Sequence, residues 1–357
     1  ENIRIFKSGY QNYFDALNSV FSYYDEKVNE KELASIAGND GMFEFHFSEL
    51  WNDEASIYLR TEDIMGLICD YMGYEYEWFL NQDFESTWCK IKESIDSGFP
   101  LITQSLGAEG PQAWGEWMII CGYSEEGKEP IVILNGSGEN FICTGFPESK
   151  DFEIKWGNHF PFQPLTSDFY ADKPLFIVKR KTKERKKFDE KKMAVLNLKR
   201  IVRYSEKEFI GGKYKLWGGI KGMEKWKHAL EKMEDKDAEK LINEPSRYIV
   251  HFNARVPNFL LKSRKGSSFY LFKISNLFDK SVVQKLWKAA EHYANVSSLA
   301  LDYLDLLFCK SGSWKDEKFE EEIETGTKRL KIRSYRIKAS ELLALIIKEE
   351  KLSLIHI

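Results

Sequence analysis

Four stretches in the first hundred residues place apolar side chains three and four positions apart, which is the period of a helix with one buried face. The first stretch predicts a helix that begins near Phe14 or Asp15 and turns Leu17, Val20 and Phe21 toward a core. Polar residues fill the positions between them, so we expect amphipathic helices that are buried on one side only.

The ends of these helices are marked by residues that satisfy free backbone groups. Asn29 and Glu32 have the spacing of a capping box, and Gly38 is suited to the end of that short helix. Thr61 is predicted to cap the third helix, and Asp83 is predicted to open the fourth. The pattern therefore predicts four separate helices before residue 100.

After residue 100 the pattern changes to short apolar runs bounded by turn residues. Strands are predicted at 100–105, 116–123, 131–134, 152–156 and 174–178. The turn-rich residues between the second and third of these runs predict an antiparallel hairpin. Helices that lead into an antiparallel sheet predict an α+β domain.

The second half of the chain returns to helical periodicity. Helices are predicted at 189–208, 220–240, 246–264, 279–308 and 338–351. Two glycine-rich segments, 211–212 and 218–222, match neither the Walker nor the dinucleotide-binding spacing. We interpret these segments as a hinge between helices.

Composition limits the class of protein. The chain has 357 residues, 43% hydrophobic and 30% charged, which is too apolar for disorder and long enough for two domains. Because no apolar run approaches the roughly 20 residues that cross a bilayer, we expect no membrane-spanning helix and no membrane partner. The first residues lack a basic stretch followed by an apolar one, so no secretory signal is expected, although a leader removed before Glu1 stays open.

Charge is divided unequally along the chain. Residues 1–178 carry 11 Lys and Arg against 31 Asp and Glu, a net charge of −20, and residues 179–357 carry 41 against 25, a net charge of +16. We therefore predict an acidic domain at 1–178, a basic linker at 179–192 and a basic helical domain at 193–357. The two charges either neutralise each other, or they attract a cationic small molecule and an acidic partner. Lys and Glu interleave through the second half and no RNA- or DNA-binding motif is found, so no nucleic acid is expected.

The cysteines favour a reducing, cytoplasmic location. They are five in number, widely spaced and without a C-x-x-C pair, which argues against a disulfide framework and a zinc site. Cys69, Cys89 and Cys121 lie in amphipathic or apolar segments and are predicted to be small core residues, whereas Cys143 follows a glycine turn.

Glu44 and His46 would share one face of a strand, but two ligands are too few for a metal site, and no cofactor is expected. Among the histidines, His159 is the best candidate for a functional one, with a surface role as the alternative.

Several short motifs follow one another in an order that resembles the N-terminal domain family of butirosin biosynthesis protein H. More distantly, the order is similar to the papain-like cysteine peptidases that process double-glycine leaders. The motifs are Gly9-Tyr10-Gln11-Asn12, Leu33 to Gly38, Gly41-Met42-Phe43, Tyr71 to Tyr74, Ser97 to Ile102 and Glu116 to Tyr123. In the second half, Gly219 to Trp226, Asn253 to Arg255 and Phe259-Leu260 resemble the helical domain that is often joined to it.

The resemblance implies a papain-like fold with a thiolate at the start of the first helix, an imidazole on a facing strand, and an amide that orients the imidazole. At the thiol position this chain has Asn12, and no cysteine occurs in residues 1–68. The imidazole position is Glu116, the orienting position is Asn135, and Gln11 is the candidate oxyanion donor. An amide cannot replace a thiolate, so the chain is not expected to be a peptidase by the Cys–His mechanism.

Two functions are compatible with this pattern. In the first, the protein is a catalytically degenerate binding or accessory protein of specialised metabolism, with a small ligand in a cleft that Tyr10, Phe43 and Trp114 also line. The net charge of −20 favours a cationic ligand there. In the second, it is an acyltransferase that moves an acyl or aminoacyl group from the thioester of an acidic carrier protein to an amine of a cationic acceptor, with Glu116 as the base.

Overall fold

The computed structural model describes residues 12–38, 45–48, 51, 63–80, 84–106, 114–124, 129–134, 142–143, 174–206, 209–211, 216–243, 248–309 and 319–357. These residues form two compact units. The first lies within Glu1–Asn39 and Arg60–Phe188, and the second lies within Asp40–Leu59 and Asp189–Ile357. The predicted first domain was continuous, whereas here a short segment before residue 60 folds with the second unit.

The elements confirm the α+β class and the mainly helical second half. The helices of the first unit are α1 (Asn12–Tyr23), α2 (Glu30–Ala37), α3 (Ile64–Met72) and α4 (Phe84–Asp96). Those of the second unit are α5 (Glu190–Glu206), α6 (Gly219–Lys232), α7 (Asp235–Asn243), α8 (Tyr248–Ser275), α9 (Lys280–Phe308), α10 (Phe319–Lys331) and α11 (Arg333–Ile355). The strands are β1 (His46–Ser48), β2 (Tyr74–Leu80), β3 (Leu101–Leu106), β4 (Trp114–Ser124), β5 (Glu129–Leu134), β6 (Ile142–Cys143), β7 (Pro174–Lys181), β8 (Phe209–Gly211) and β9 (Leu216–Gly218).

In the first unit, the described strands form one antiparallel sheet in the order β2-β7-β3-β4-β5-β6. The predicted hairpin is its β4–β5 pair, in which Met118 lies opposite Leu134. Ile91 of α4 packs on one face of the sheet, with Leu101, Ile120 and Ile177 as its buried neighbours. The strand predicted at 152–156 lies outside the described residues.

Both ends of helix α3 are fixed by specific residues, a side-chain cap at the start and a glycine at the end. The carboxylate of Asp63 accepts the N–H of Gly66 at 2.8 Å, so Asp63 caps α3. The predicted cap, Thr61, lies outside the described residues. Gly73 ends the helix at φ +86°, where a Cβ would stand 2.1 Å from the carbonyl oxygen of Lys183. Only glycine allows the chain that follows β7 to pass this closely.

The basic segment after β7 is packed against the first unit. The carbonyl oxygen of Gly73 accepts the N–H groups of Thr182 and Lys183, at 2.9 and 3.1 Å. Arg185 forms an ion pair with Glu32, and the ring of Phe188 lies 6.4 Å from that of Tyr71. This part of the predicted linker is therefore held against the first unit by hydrogen bonds, an ion pair and a ring contact.

A segment from the first half of the sequence completes the second unit. β1 pairs antiparallel with β9, with His46 opposite Gly218, and β9 pairs with β8. Phe47 and Trp51 are buried, and their rings meet the ring of Phe252 edge-on at 5.6 and 5.4 Å. The aromatic side chains of this short segment therefore belong to the core of the helical unit.

The interpretation of the glycine segments as a hinge between helices is wrong, because each segment includes the last residue of a strand. Gly211 ends β8, and Gly218 ends β9 immediately before α6. Gly219 has φ +52°, and a Cβ there would lie 2.2 Å from the carbonyl oxygen of Ser205. Its N–H donates to the carbonyl oxygen of Phe45 at 2.9 Å, so glycine is required here by close packing of the backbone.

A fully buried arginine joins two turns of the second unit. The guanidinium of Arg336 donates to the carbonyl oxygens of Leu330 and Lys331, the last two residues of α10, at 2.7 and 2.9 Å. It also donates to the carbonyl oxygen of Met233, the residue after α6, at 2.9 Å and to the carboxylate of Asp235, the first residue of α7, at 2.5 Å. Arg336 thus satisfies carbonyl groups that helix ends leave free.

No helix among the described residues combines the length and the apolar character needed to cross a membrane.

Candidate functional site

The predicted site residues that the structure describes lie on two neighbouring elements of the first unit. Asn12 is the first residue of α1, Trp114 is the first residue of β4, and α1 packs against β4. Glu116 lies where the pairing of β4 with β3 is irregular. The pairing register of the two strands shifts between Trp114 and Trp117 of β4, as in a β-bulge. Such bulges re-aim side chains and are frequent next to active sites. The other predicted site residues lie outside the described part of the chain: Tyr10, Gln11, Phe43, Asn135 and His159.

Buried aromatic contacts hold α1 in place. Leu17, Val20 and Phe21 are fully buried, as their spacing predicts. The ring of Phe21 lies 5.3 Å from that of Tyr74, and the hydroxyl of Tyr24 donates to the carbonyl oxygen of Val178 at 2.7 Å. The helix that begins at Asn12 is therefore a fixed element of the first unit.

The tyrosines beside α1 are kept in their neutral forms. Burial, with the neighbouring Tyr23 and Tyr74, raises the pKa of Tyr24. Burial and the carboxylate of Glu26 raise the pKa of Tyr74, and burial with Asp63 raises that of Tyr76 to about 12. Groups with these shifts are poor bases and poor nucleophiles near neutral pH.

Two of the thiols are unreactive for the same reason. Cys69 is fully buried in α3, and burial raises the pKa of its thiol, with Asp63 and Asp70 adding to the shift. Cys121 is half-buried in β4, and burial raises its pKa as well. A thiol is activated by the opposite shift, so neither is a candidate nucleophile.

Two of the described thiols are exposed, one in each unit. The prediction that Cys89 is a core residue is wrong, because its side chain is exposed on α4. Cys309 is exposed at the end of α9 and accepts a hydrogen bond from Arg329 at 2.9 Å. That guanidinium also donates to the carbonyl oxygens of Asp305 and Leu306, at 3.2 and 2.7 Å, so its main role is to cap the helix.

Sequence reasoning missed a buried ion pair in the second unit. The Nε of Arg264 on α8 donates to the carboxylate of Glu350 on α11, and both side chains are almost completely buried. Burial alone would lower the pKa of Arg264, but the carboxylate of Glu350 outweighs it and raises that pKa. The guanidinium lies 5.3 Å from the ring centre of Tyr293, whose pKa burial and Glu350 raise to about 12. The partners are 86 residues apart, so no local pattern joins them.

This ion pair lines a recess in the second unit. The empty space measures about 370 Å³, part of it open to solvent, and Phe45, Tyr204 and Met223 form much of its apolar wall. Both charges already face each other, so the pair joins α8 to α11 and offers no unpaired charge to a ligand.

No group of three or more His, Cys, Asp or Glu residues within the described ranges is arranged to hold a metal ion. A scan of the chain against protein-family models finds no match, and a search of curated proteins finds no matching sequence.

Proposed function

We propose that the first unit is a catalytically degenerate papain-like domain that binds a small, cationic molecule. The observation that carries the proposal is the packing of α1 against β4 in an antiparallel α+β unit, because the motif order predicts a site between the start of α1 and that strand. Asn12 and Glu116 occupy the thiol and imidazole positions that the resemblance implies. A cleft with this lining can bind a ligand, but it has no thiolate to form an acyl-enzyme.

Charge supports a cationic ligand. The net charge of −20 over residues 1–178 raises the local concentration of cations near any cleft in that unit. Glu116 is a carboxylate where the peptidases have an imidazole, so it would pair directly with an ammonium group of the ligand. A cytoplasmic location is part of the same proposal and rests on five cysteines without disulfide spacing.

Binding is tested by thermal unfolding and titration calorimetry with a polycationic aminoglycoside, with its fully N-acetylated, uncharged form as the control ligand. Only the charged form is expected to raise the unfolding temperature, because a ligand stabilises the state that binds it. Glu116→Gln should weaken binding about tenfold, and Glu93→Gln, an exposed carboxylate on α4, should leave it unchanged. The cationic-ligand proposal is refuted if the charged and the N-acetylated ligand bind with equal affinity. It is also refuted if Glu116→Gln and Glu93→Gln bind the charged ligand with equal affinity.

The charge division favours the acyltransferase as the second candidate. In that reaction Glu116 takes a proton from the acceptor ammonium, and the amine attacks the thioester carbonyl. The amide C–N bond then forms as the C–S bond breaks and the carrier thiol leaves with a proton. An acidic carrier protein would bind the second half, with its net charge of +16.

The two candidates differ in turnover. A transferase releases free thiol from an acyl thioester only when the amine acceptor is present, and Glu116→Gln should reduce that release at least about a hundredfold. A binding protein gives the thermal stabilisation without thiol release. Full turnover by Glu116→Gln would show that Glu116 is not the base.

A further inference from the structure

The α8–α9 hairpin of the second unit exposes three large aromatic side chains. Phe269 and Phe272 on α8 are 66% and 57% exposed, and Trp287 on α9 is 49% exposed. Aromatic residues of this size are normally buried, and grouped exposure is typical of interaction sites.

Two of the three rings are held in position. The rings of Phe272 and Trp287 stack with centres 5.6 Å apart and planes inclined at 22°. The indole N–H of Trp287 donates to the hydroxyl of Ser275 at 3.0 Å, and that hydroxyl donates to the carbonyl oxygen of Phe272 at 2.7 Å. A partner would therefore meet a preformed platform and would lose little side-chain entropy on binding.

The platform lies among lysines. On α8, Lys265 and Lys273 are exposed and lie four residues before and after Phe269. On α9, Lys280 is exposed and lies seven residues before Trp287. Residues at these spacings share one face of a helix, so each lysine lies on the same face as an aromatic residue. The 28 residues of α8 contain no Asp or Glu. The interleaving of Lys with Glu that the sequence suggests for the whole second half does not extend to α8. We refer to Phe269, Phe272, Trp287, Lys265, Lys273 and Lys280 as the aromatic–lysine surface.

We propose that the aromatic–lysine surface docks a short acidic segment of a partner protein, one that carries apolar side chains among its carboxylates. Apolar side chains would cover the stacked rings, and carboxylates would pair with the lysines around them. The chain as a whole has a net charge of −4, which repels an extended polyanion or an anionic bilayer. A short segment is attracted locally, because charges beyond about 8 Å are screened at physiological salt. The proposal rests on the second unit alone and does not depend on the function proposed for the first.

The test measures binding of a labelled amphipathic peptide to the full chain by fluorescence anisotropy. The peptide has Leu and Phe at positions i, i+3, i+4 and i+7 and Glu elsewhere, and a matched peptide has Gln in place of every Glu. Phe272→Ala and Trp287→Ala are each expected to weaken binding about tenfold, and Lys273→Glu several-fold. The Gln peptide should bind at least about tenfold more weakly, and its affinity should depend little on salt.

Matched controls lie on the same unit. Tyr248→Ala removes an aromatic residue that is 47% exposed at the other end of α8, and Lys240→Glu reverses an exposed charge on α7, so neither should change binding. Thermal unfolding of each variant checks that the helices are intact. The proposal is overturned if the Glu peptide does not bind at low salt, or if the surface variants bind it as the wild type does. It is also overturned if oligodeoxythymidine or phosphatidylserine vesicles bind this surface more tightly than the peptide.

Discussion

The two units treat buried polar groups in different ways. In the first unit, burial raises the pKa values of Cys69, Tyr24 and Asp63, which disfavours the charged form of each group. In the second unit, the buried guanidinium groups of Arg264 and Arg336 are paired with a carboxylate or with carbonyl oxygens. The shifts of Cys69 and Tyr24 are therefore opposite to those of an activated nucleophile, and the buried charges of the second unit serve to join helices.

The largest effect is expected from Arg336. Arg336→Met removes hydrogen bonds to three carbonyl oxygens and one carboxylate, and leaves the carbonyls without partners in a buried place. We expect the free energy of unfolding to fall by about 3–5 kcal/mol, measured by urea denaturation. Arg333→Met, an exposed position on the same helix, is the control and should change it by less than about 0.5 kcal/mol. Equal effects of the two variants would contradict the role assigned to Arg336.

Removing one partner of the Arg264–Glu350 pair should lower the free energy of unfolding strongly, whereas replacing both partners by apolar side chains should lower it little. Glu350→Gln leaves the guanidinium buried without a counter-charge, so we expect a loss of about 3 kcal/mol. The double variant Arg264→Met, Glu350→Leu removes both charges and should recover most of that loss, because apolar side chains can substitute for a buried ion pair. If the double variant were as unstable as Glu350→Gln, the pair would have a role beyond joining α8 to α11.

A smaller, pH-dependent effect is expected from Asp63. Burial raises its pKa in the folded state, against hydrogen bonds from Gly66 and Trp78 that lower it. The folded state then binds more protons than the unfolded state above about pH 4, so this carboxyl makes the free energy of unfolding fall as the pH rises through the raised pKa. Asp63→Asn should remove that fall in urea titrations between about pH 4 and pH 7. Asp70→Asn, exposed on the same helix, should leave it in place.

Local sequence signals predicted most of the first unit. Gly38 and Gly98 follow α2 and α4 with φ of +72° and +77°, as expected of residues that end helices. The turn-rich residues before Ile131 correctly predicted the β4–β5 hairpin. These features depend on neighbours within a few positions, which is the range that periodicity and capping patterns cover.

Long-range pairings were outside the reach of such patterns. The pairing of β1 with β9 joins His46 to Gly218, and nothing near residue 46 indicates that partner. The ion pair of Arg264 with Glu350 and the bonds of Arg336 to Met233 are similarly distant. Helix α10 lies outside every predicted helix, and Cys89 was misjudged because a cysteine on an amphipathic helix can face either side. Of the candidate site, the sequence suggested the α1–β4 neighbourhood, but only tertiary packing brings these two elements together.

The central claim is that none of the thiols described in the first unit, Cys69, Cys89 and Cys121, is activated. The most direct test is intact-mass labelling of the native protein at neutral pH with a small thiol electrophile and, separately, an acyl thioester. Exposed Cys89 and Cys309 should react at about the rate of glutathione, and Cys69 and Cys121 more slowly because burial raises their pKa values. No cysteine should acquire the acyl group. Labelling of a single cysteine more than about tenfold faster than glutathione, with transfer of the acyl group to it, would contradict the claim and make that residue the nucleophile of an enzyme.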